Sequence, residues 1–355
     1  MPALPELLPA LVDRLPRVAL GAWPTPLEPA RAAGVPIWIK REDLSAEHYG
    51  GNKIRPLELV FGAALAAGKR RIWATGAYGS NHALATLIHA PRHGLAAGAI
   101  LWPQAPSATA AANLEAMLAS GCELQLLRSI AAFPLAAGLR RLVGRDDWVM
   151  PPGAATPLGA LGHAGAAVEL AAQLAEHGER PPRTIVLASG STCTAVGMLV
   201  GTALAAHLGL APPTPLPQIH AVRVTPWPVT SAGRIIRLAQ RTGDLLAALG
   251  GPRLALDTAG LRARLTIVPG YLGHGYGRVT ASGLEALFTF APRGPHLDTT
   301  YTAKVAAYVL DRAHTLTPPI VFWSSKSSRP LPPRRLEAIA AAPEQVRAWL
   351  AASAA

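Results

Sequence analysis

The 355-residue chain reads as an α/β protein built on parallel sheet. Three observations predict this. Short, nearly continuous apolar runs mark strands buried on both faces. They alternate with longer helix-like stretches at the spacing of βαβ units, whose crossovers are right-handed. The length suits two domains or one large α/β unit, and a hydrophobic share of 50% is enough for a substantial core. The first strand is expected at 36–40, around Ile37-Trp38-Ile39, and the first helix at 56–67, opened near Pro56. A strand at 71–76 feeds a helix at 81–93, with Ser80 or Asn81 suited to its N-cap. Apolar runs at 97–102, 123–127 and 148–150 follow, with a helix at 108–119 between the first two. A long helix is expected at 157–177; the polar turn 178–183 then precedes a strand at 184–188 and a helix at 194–207. After the four prolines of 211–217 come a strand at 218–224, a helix at 229–249 and a strand at 265–268. A helix at 300–314 and a strand at 319–323 complete the pattern.

Composition narrows the function. Gly and Pro stay below the level of a disordered chain. No apolar run reaches the roughly 18 residues of a membrane helix, and Glu6, Asp13 and scattered prolines are unlike a signal peptide. Cys122 and Cys193 cannot alone form a disulfide framework or a zinc site, so no metal is expected and a cytoplasmic location is the default. The net charge of +12 invites nucleic acid, but the arginines are dispersed and the aromatics are not interleaved with them, so nucleic acid is not expected as a partner. The lysines are only Lys40, Lys53, Lys69, Lys304 and Lys326, and each can be weighed singly.

Four segments carry chemistry. In His48-Tyr49-Gly50-Gly51-Asn52-Lys53 the glycines let the backbone bend, and Lys53 is either a solvated surface lysine or a desolvated nucleophile at the mouth of the turn. Thr75-Gly76-Ala77-Tyr78-Gly79-Ser80-Asn81-His82 joins a strand to a helix, serving as a plain cap or as a seat for a carboxylate. Ala188-Ser189-Gly190-Ser191-Thr192-Cys193-Thr194 does the same with a concentration of hydroxyls that suits a phosphate; it is neither a P-loop nor a dinucleotide fingerprint, and Cys193 reads as a packing residue. The fourth pairs Tyr271–Gly277 with the run from Asp298 to Lys304, bringing tyrosines and glycines either to a ligand or to a packed turn.

In their order and spacing these segments resemble the pyridoxal-phosphate-dependent family that includes D-cysteine desulfhydrase and 1-aminocyclopropane-1-carboxylate deaminase, within the tryptophan synthase β superfamily, fold type II. Further matching stretches are 24–29, 40–44 and 153–162, so the resemblance covers nearly the whole chain. It implies two open, twisted parallel-sheet domains with helices on both faces: a small one at 54–155 and a large cofactor-binding one made of 1–53 plus 156–355. It implies pyridoxal 5'-phosphate as cofactor and Lys53 as the lysine that carries it. It also implies that Asn81 lies beside the cofactor's phenolic oxygen, and that Gly190, Ser191, Thr192, Cys193 and Thr194 form the phosphate cradle. Ser80, Asn81 and His82 would receive the substrate carboxylate, and Tyr276 and Tyr301 would face the substrate, with Ser80, Tyr276 and Tyr301 joining Lys53 in catalysis. Thr302 would bond the pyridine nitrogen; a hydroxyl there leaves that nitrogen largely unprotonated and argues against cyclopropane opening. A homodimer is expected by analogy.

The implied reaction is α,β-elimination on a small, D-cysteine-like amino acid to give a keto acid and ammonia. Alternatives on the same cofactor are 1-aminocyclopropane-1-carboxylate deamination, racemisation and β-replacement. A non-catalytic phosphate-ligand module is the reading from another class and needs no lysine at 53. The sequence departs from the desulfhydrase pattern at Gly79, where a glutamine is frequent, at Ala303, and at Ser324-Ser325-Lys326-Ser327. These departures bear on the substrate more than on the cofactor.

Overall fold

The computed structural model describes residues 8–290 and 294–354. Its strands are β1 (Leu27–Ala32), β2 (Val35–Arg41), β3 (Arg71–Ala77), β4 (Ala96–Trp102), β5 (Glu123–Leu126), β6 (Asp147–Val149), β7 (Thr184–Ser189), β8 (Gln218–Arg223), β9 (Leu265–Val268) and β10 (Ile320–Ser324). They form a six-stranded sheet in the order β1-β2-β10-β7-β8-β9 and a four-stranded sheet in the order β5-β4-β3-β6. Every pairing is parallel except β1 with β2.

The strand β1 is absent from the sequence expectation because Pro29 interrupts its pattern. Proline is tolerated there because β1 is an edge strand, closed onto β2 by a two-residue turn in which Ala33 and Gly34 both have positive φ.

The helices are α1 (Ile54–Ala66), α2 (Asn81–His89), α3 (Ala108–Ala119), α4 (Phe133–Val143), α5 (Pro157–Glu176), α6 (Cys193–His207), α7 (Ala232–Ala248), α8 (Thr258–Ala263), α9 (Ala281–Phe290), α10 (Thr302–Arg312), α11 (Leu336–Ala340) and α12 (Glu344–Ala354). The expected helices are all present, with ends moved by a few residues, whereas α4, α8, α9, α11 and α12 were not anticipated. The helix α4 leaves Leu135, Leu139, Leu142 and Val143 exposed. The last residues return to the four-stranded sheet, where Ala342, Val346 and Leu350 join its core and Trp349 meets the Tyr78 ring edge-on at 5.3 Å. The 336–354 segment thus packs against the core of the four-stranded sheet. Among the described residues, no helix is long and apolar enough to cross a membrane.

A buried ionic cluster ties β2 to α1 and α5. Lys40 donates to Glu169, to Gln173 Oε1 at 2.6 Å and to the Thr25 carbonyl at 2.8 Å. Arg55 forks onto both oxygens of Glu42 at 2.7 Å and reaches Glu169 at 2.8 Å. Arg55 joins this array to the first turn of α1, two residues after Lys53.

Candidate active site

A cavity of about 550 Å³ opens where the carboxyl ends of β3, β4, β7, β8 and β10 converge. Parallel strands leave their crevices there, and helices that start there aim free amides inward. Of the residues singled out in the sequence, Lys53, Ser80, Asn81, His82, Gly190, Ser191, Thr192, Thr194, Tyr276 and Tyr301 all line this cavity.

The turn bearing Lys53 is pinned on both sides. Gly50 donates to Ser327 Oγ at 3.0 Å, and the Asn52 amide N–H donates to the Ser325 carbonyl at 3.0 Å. Gly51 has φ +95°, and a Cβ on it would stand 2.8 Å from the Ser325 carbonyl oxygen. The Ser324–Ser327 departure from the family pattern thus serves as the clamp on this turn. Desolvation by the surrounding protein lowers the Lys53 pKa. Among the described residues, its amine makes no hydrogen bond. The loop after β6 comes close to it: Gly153, at φ +67°, has room for no Cβ, which would fall 2.1 Å from Ser191 Oγ.

Asn81 Oδ1 accepts from Tyr49 Oη at 3.1 Å and from Asn113 Nδ2 at 2.7 Å, so its amide nitrogen is the end left to donate. Lys326 Nζ donates to the same Tyr49 hydroxyl at 3.1 Å. Ser80 caps α2 by accepting from the Ala83 amide at 3.2 Å. His82 is buried with no hydrogen-bond partner among the described residues, and desolvation, followed by the charge of Lys53, pushes its pKa down to about 3. It is therefore neutral. Gly79 has no space for a glutamine side chain, since a Cβ would meet Ala110 Cβ at 2.6 Å. Gln104 reaches this loop instead and accepts from the Gly79 amide at 3.1 Å.

At the opposite wall, Thr192 stands at φ +77° and makes no side-chain cap at the start of α6, which leaves the first amides of the helix open to an anion. Thr194 Oγ1 accepts from Asn52 Nδ2 at 2.8 Å and so couples this loop to the Lys53 turn. The Tyr276 and Tyr301 hydroxyls lie 2.6 Å apart. Burial raises both pKa values, that of Tyr276 to about 12, so both phenols stay protonated.

Two expected residues are not brought to the cavity. Cys193 is buried, with Sγ 3.4 Å from the Ala154 carbonyl oxygen, and belongs to the packing of α6. The Thr302 hydroxyl is committed to Asp298: it donates to Oδ1 at 2.9 Å and accepts from the backbone amide at 2.7 Å. The Thr302 hydroxyl is thus held by Asp298 and is absent from the cavity wall where the ring nitrogen was expected to meet it; Ser325 is the hydroxyl residue delivered to the wall just past β10. Sequence reasoning also missed Trp102, Gln104, Phe133, Thr225 and Arg234. None belongs to a motif, and only their place just past a strand or at a helix start was available as a signal.

Thr194→Val tests the hydroxyl loop. It removes the acceptor for Asn52 and a hydroxyl of the phosphate wall. Such a bond is worth about 1.5–3 kcal/mol when charge-assisted, so cofactor retention should fall about tenfold or more. Unchanged retention on dialysis would remove this loop from the cradle.

The chain matches a family model described as pyridoxal-phosphate dependent enzyme over residues 18–325. It is 32% identical to nocardicin C-9' epimerase of Nocardia uniformis subsp. tsuyamanensis over 91% of this chain and 98% of that protein. It is also 32% identical to D-cysteine desulfhydrase of Salmonella paratyphi C (strain RKS4594), over 84% of this chain and 89% of that protein. A solved ACC deaminase homologue superposes with a TM-score of 0.70 at 27% identity, covering 91% of this chain and 94% of that one. The cavity suits this cofactor: its wall carries open helix-start amides and hydroxyls for a phosphate, a desolvated lysine for an aldehyde and, among the described residues, no Asp or Glu to repel an anion. With a match that runs through both sheets, the chain belongs to the pyridoxal-phosphate-dependent enzymes, in the group of ACC deaminase and D-cysteine desulfhydrase.

Proposed function

We propose that this enzyme removes the Cα proton of an amino acid and expels a leaving group from Cβ, giving a keto acid and ammonia. The observation that supports this reading most is the pairing, in one cavity, of a lysine of depressed pKa with two protonated tyrosine hydroxyls. Pyridoxal phosphate, when bound, supplies the ring that accepts the electrons left at Cα. The amides at the start of α2 receive the substrate carboxylate, with Ser80 holding that turn in shape. Lys53, whose pKa desolvation lowers, takes the Cα proton. Tyr276 and Tyr301 share a hydrogen bond, and one of them gives a proton to the departing group. His82 stays neutral and adds no charge beside Lys53.

Epimerisation is the second reading. Lys53 and the tyrosine pair are two separate proton carriers on one cavity, and the nearly end-to-end similarity to an epimerase supports using both at Cα. D- and L-amino acids with and without a Cβ leaving group, incubated in deuterated water, separate the two. Keto acid from only those with a leaving group supports elimination. Deuterated, inverted amino acid without keto acid replaces elimination by epimerisation. Release of keto acid from 1-aminocyclopropane-1-carboxylate, which has no Cα hydrogen, would overturn both.

A further inference from the structure

The cavity has two halves of unlike chemistry. The half described above is polar and made of motif residues. The other is walled by Trp102, Pro103, Ile130 and Phe133 from the small unit, and by Pro226 and Val229 from the large one. The Trp102 and Phe133 rings pack at 4.9 Å between centroids, tilted by 49°, and present a rigid aromatic surface. Ile130 remains 59% exposed, a large apolar side chain left uncovered beside them. A three-carbon amino acid carries too little apolar surface to cover this wall. Arg234, in the first turn of α7, also lines the cavity, and it is exposed. Among the described residues, no carboxylate pairs with it. Ser231, the N-cap of α7, makes no side-chain cap, so the helix end adds to the positive potential there.

We infer that the amino acid taken by this site carries, beyond Cβ, a bulky aromatic-sized apolar group ending in an anion, which Arg234 receives. The inference rests on the proposed function for the placement of Cα near Lys53, and it goes beyond the small, D-cysteine-like substrate expected from the sequence. The apolar wall takes the ring by burial and by tilted ring contacts. The guanidinium takes a terminal carboxylate through paired hydrogen bonds.

The test is calorimetric titration of the holoenzyme, read in parallel with the cofactor's visible absorption. The probes are alanine, phenylalanine and 4-carboxyphenylalanine, each as both enantiomers. For the productive enantiomer, phenylalanine should bind about tenfold tighter than alanine, and 4-carboxyphenylalanine about tenfold tighter again. Arg234→Gln should abolish the second step while the first persists. Ile130→Ser, at an exposed position that leaves folding intact, should shrink the first step. Alanine binding as tightly as phenylalanine, or Arg234→Gln weakening all three probes alike, would overturn the inference. A holoenzyme that ranks the probes in this order but releases no keto acid from any amino acid with a Cβ leaving group would sink the proposed function and leave the subsite standing.

Discussion

Lys53→Ala should abolish turnover while leaving the fold intact. The lysine contributes no side-chain hydrogen bond among the described residues, and its turn is held by Gly50, Asn52 and the Ser325–Ser327 strand exit through other atoms. Removing the amine therefore costs the structure little. It costs the chemistry both the covalent attachment point and the base, and general-base catalysis alone is worth about 10²–10⁴ in rate. The other lysines are engaged elsewhere. Lys40 is bound to Glu169, Lys304 to the Leu272 carbonyl, Lys326 to Tyr49 and Lys69 to the Arg145 carbonyl. Borohydride reduction should fix the cofactor on the peptide containing Lys53. A label on any other lysine, or residual turnover above about a hundredth of the wild type, would overturn the assignment.

Glu169→Ala should produce the largest loss of stability, about 3–5 kcal/mol, because it strands two buried cations. Glu169 accepts from Lys40, Arg55 and the Thr25 amide. Lys40 has no exposed surface and loses its carboxylate partner, and Arg55 is left with Glu42 and the face of the Trp23 ring. Urea unfolding should show a lower midpoint with an unchanged slope. A loss below about 1 kcal/mol would mean that water or neighbouring groups take over the role of Glu169.

The same carboxylate sets a pH dependence. Burial by itself would raise its pKa, but the charges of Arg55 and then Lys40 outweigh burial and hold it down to about 2. The folded value lies below the unfolded one, so this contribution is fully present above pH ~4.5 and is lost as pH falls from there toward about 2. Acid unfolding of the wild type should steepen in that window, and Glu169→Gln should flatten it. Arg55 ties the cluster to the first turn of α1, two residues after Lys53, so its failure would show first as loss of cofactor.

The parallel core and the ligand-bearing turns were legible for a common reason. Strands buried on both faces are continuous apolar runs, and strand-to-helix turns that bind anions need glycine and hydroxyl residues, which are uncommon together elsewhere. Hence β2 through β10 stand near their expected places, and Lys53, Asn81, Thr194 and the two tyrosines meet in one cavity. The edge strand β1 was hidden because the rule against proline in strands does not hold at an edge. The helix α4 was hidden because its apolar face is turned to solvent and its pattern does not report a core.

The order of strands and the nature of the turns were thus determined by the sequence itself, since each depends on residues that are neighbours in the chain. Where a side chain ends up was decided by partners far away. Thr302 was drawn to Asp298 and away from the cavity, Asn52 was matched to Thr194 across 142 residues, and Gln104 was delivered to the loop at Gly79. Arg234 was brought to the cavity wall by the same long-range packing, with no carboxylate paired to it among the described residues. A hydrogen bond is satisfied by whichever donor or acceptor the fold brings within reach, and that choice exists only once both sheets and the helices between them have closed around the site.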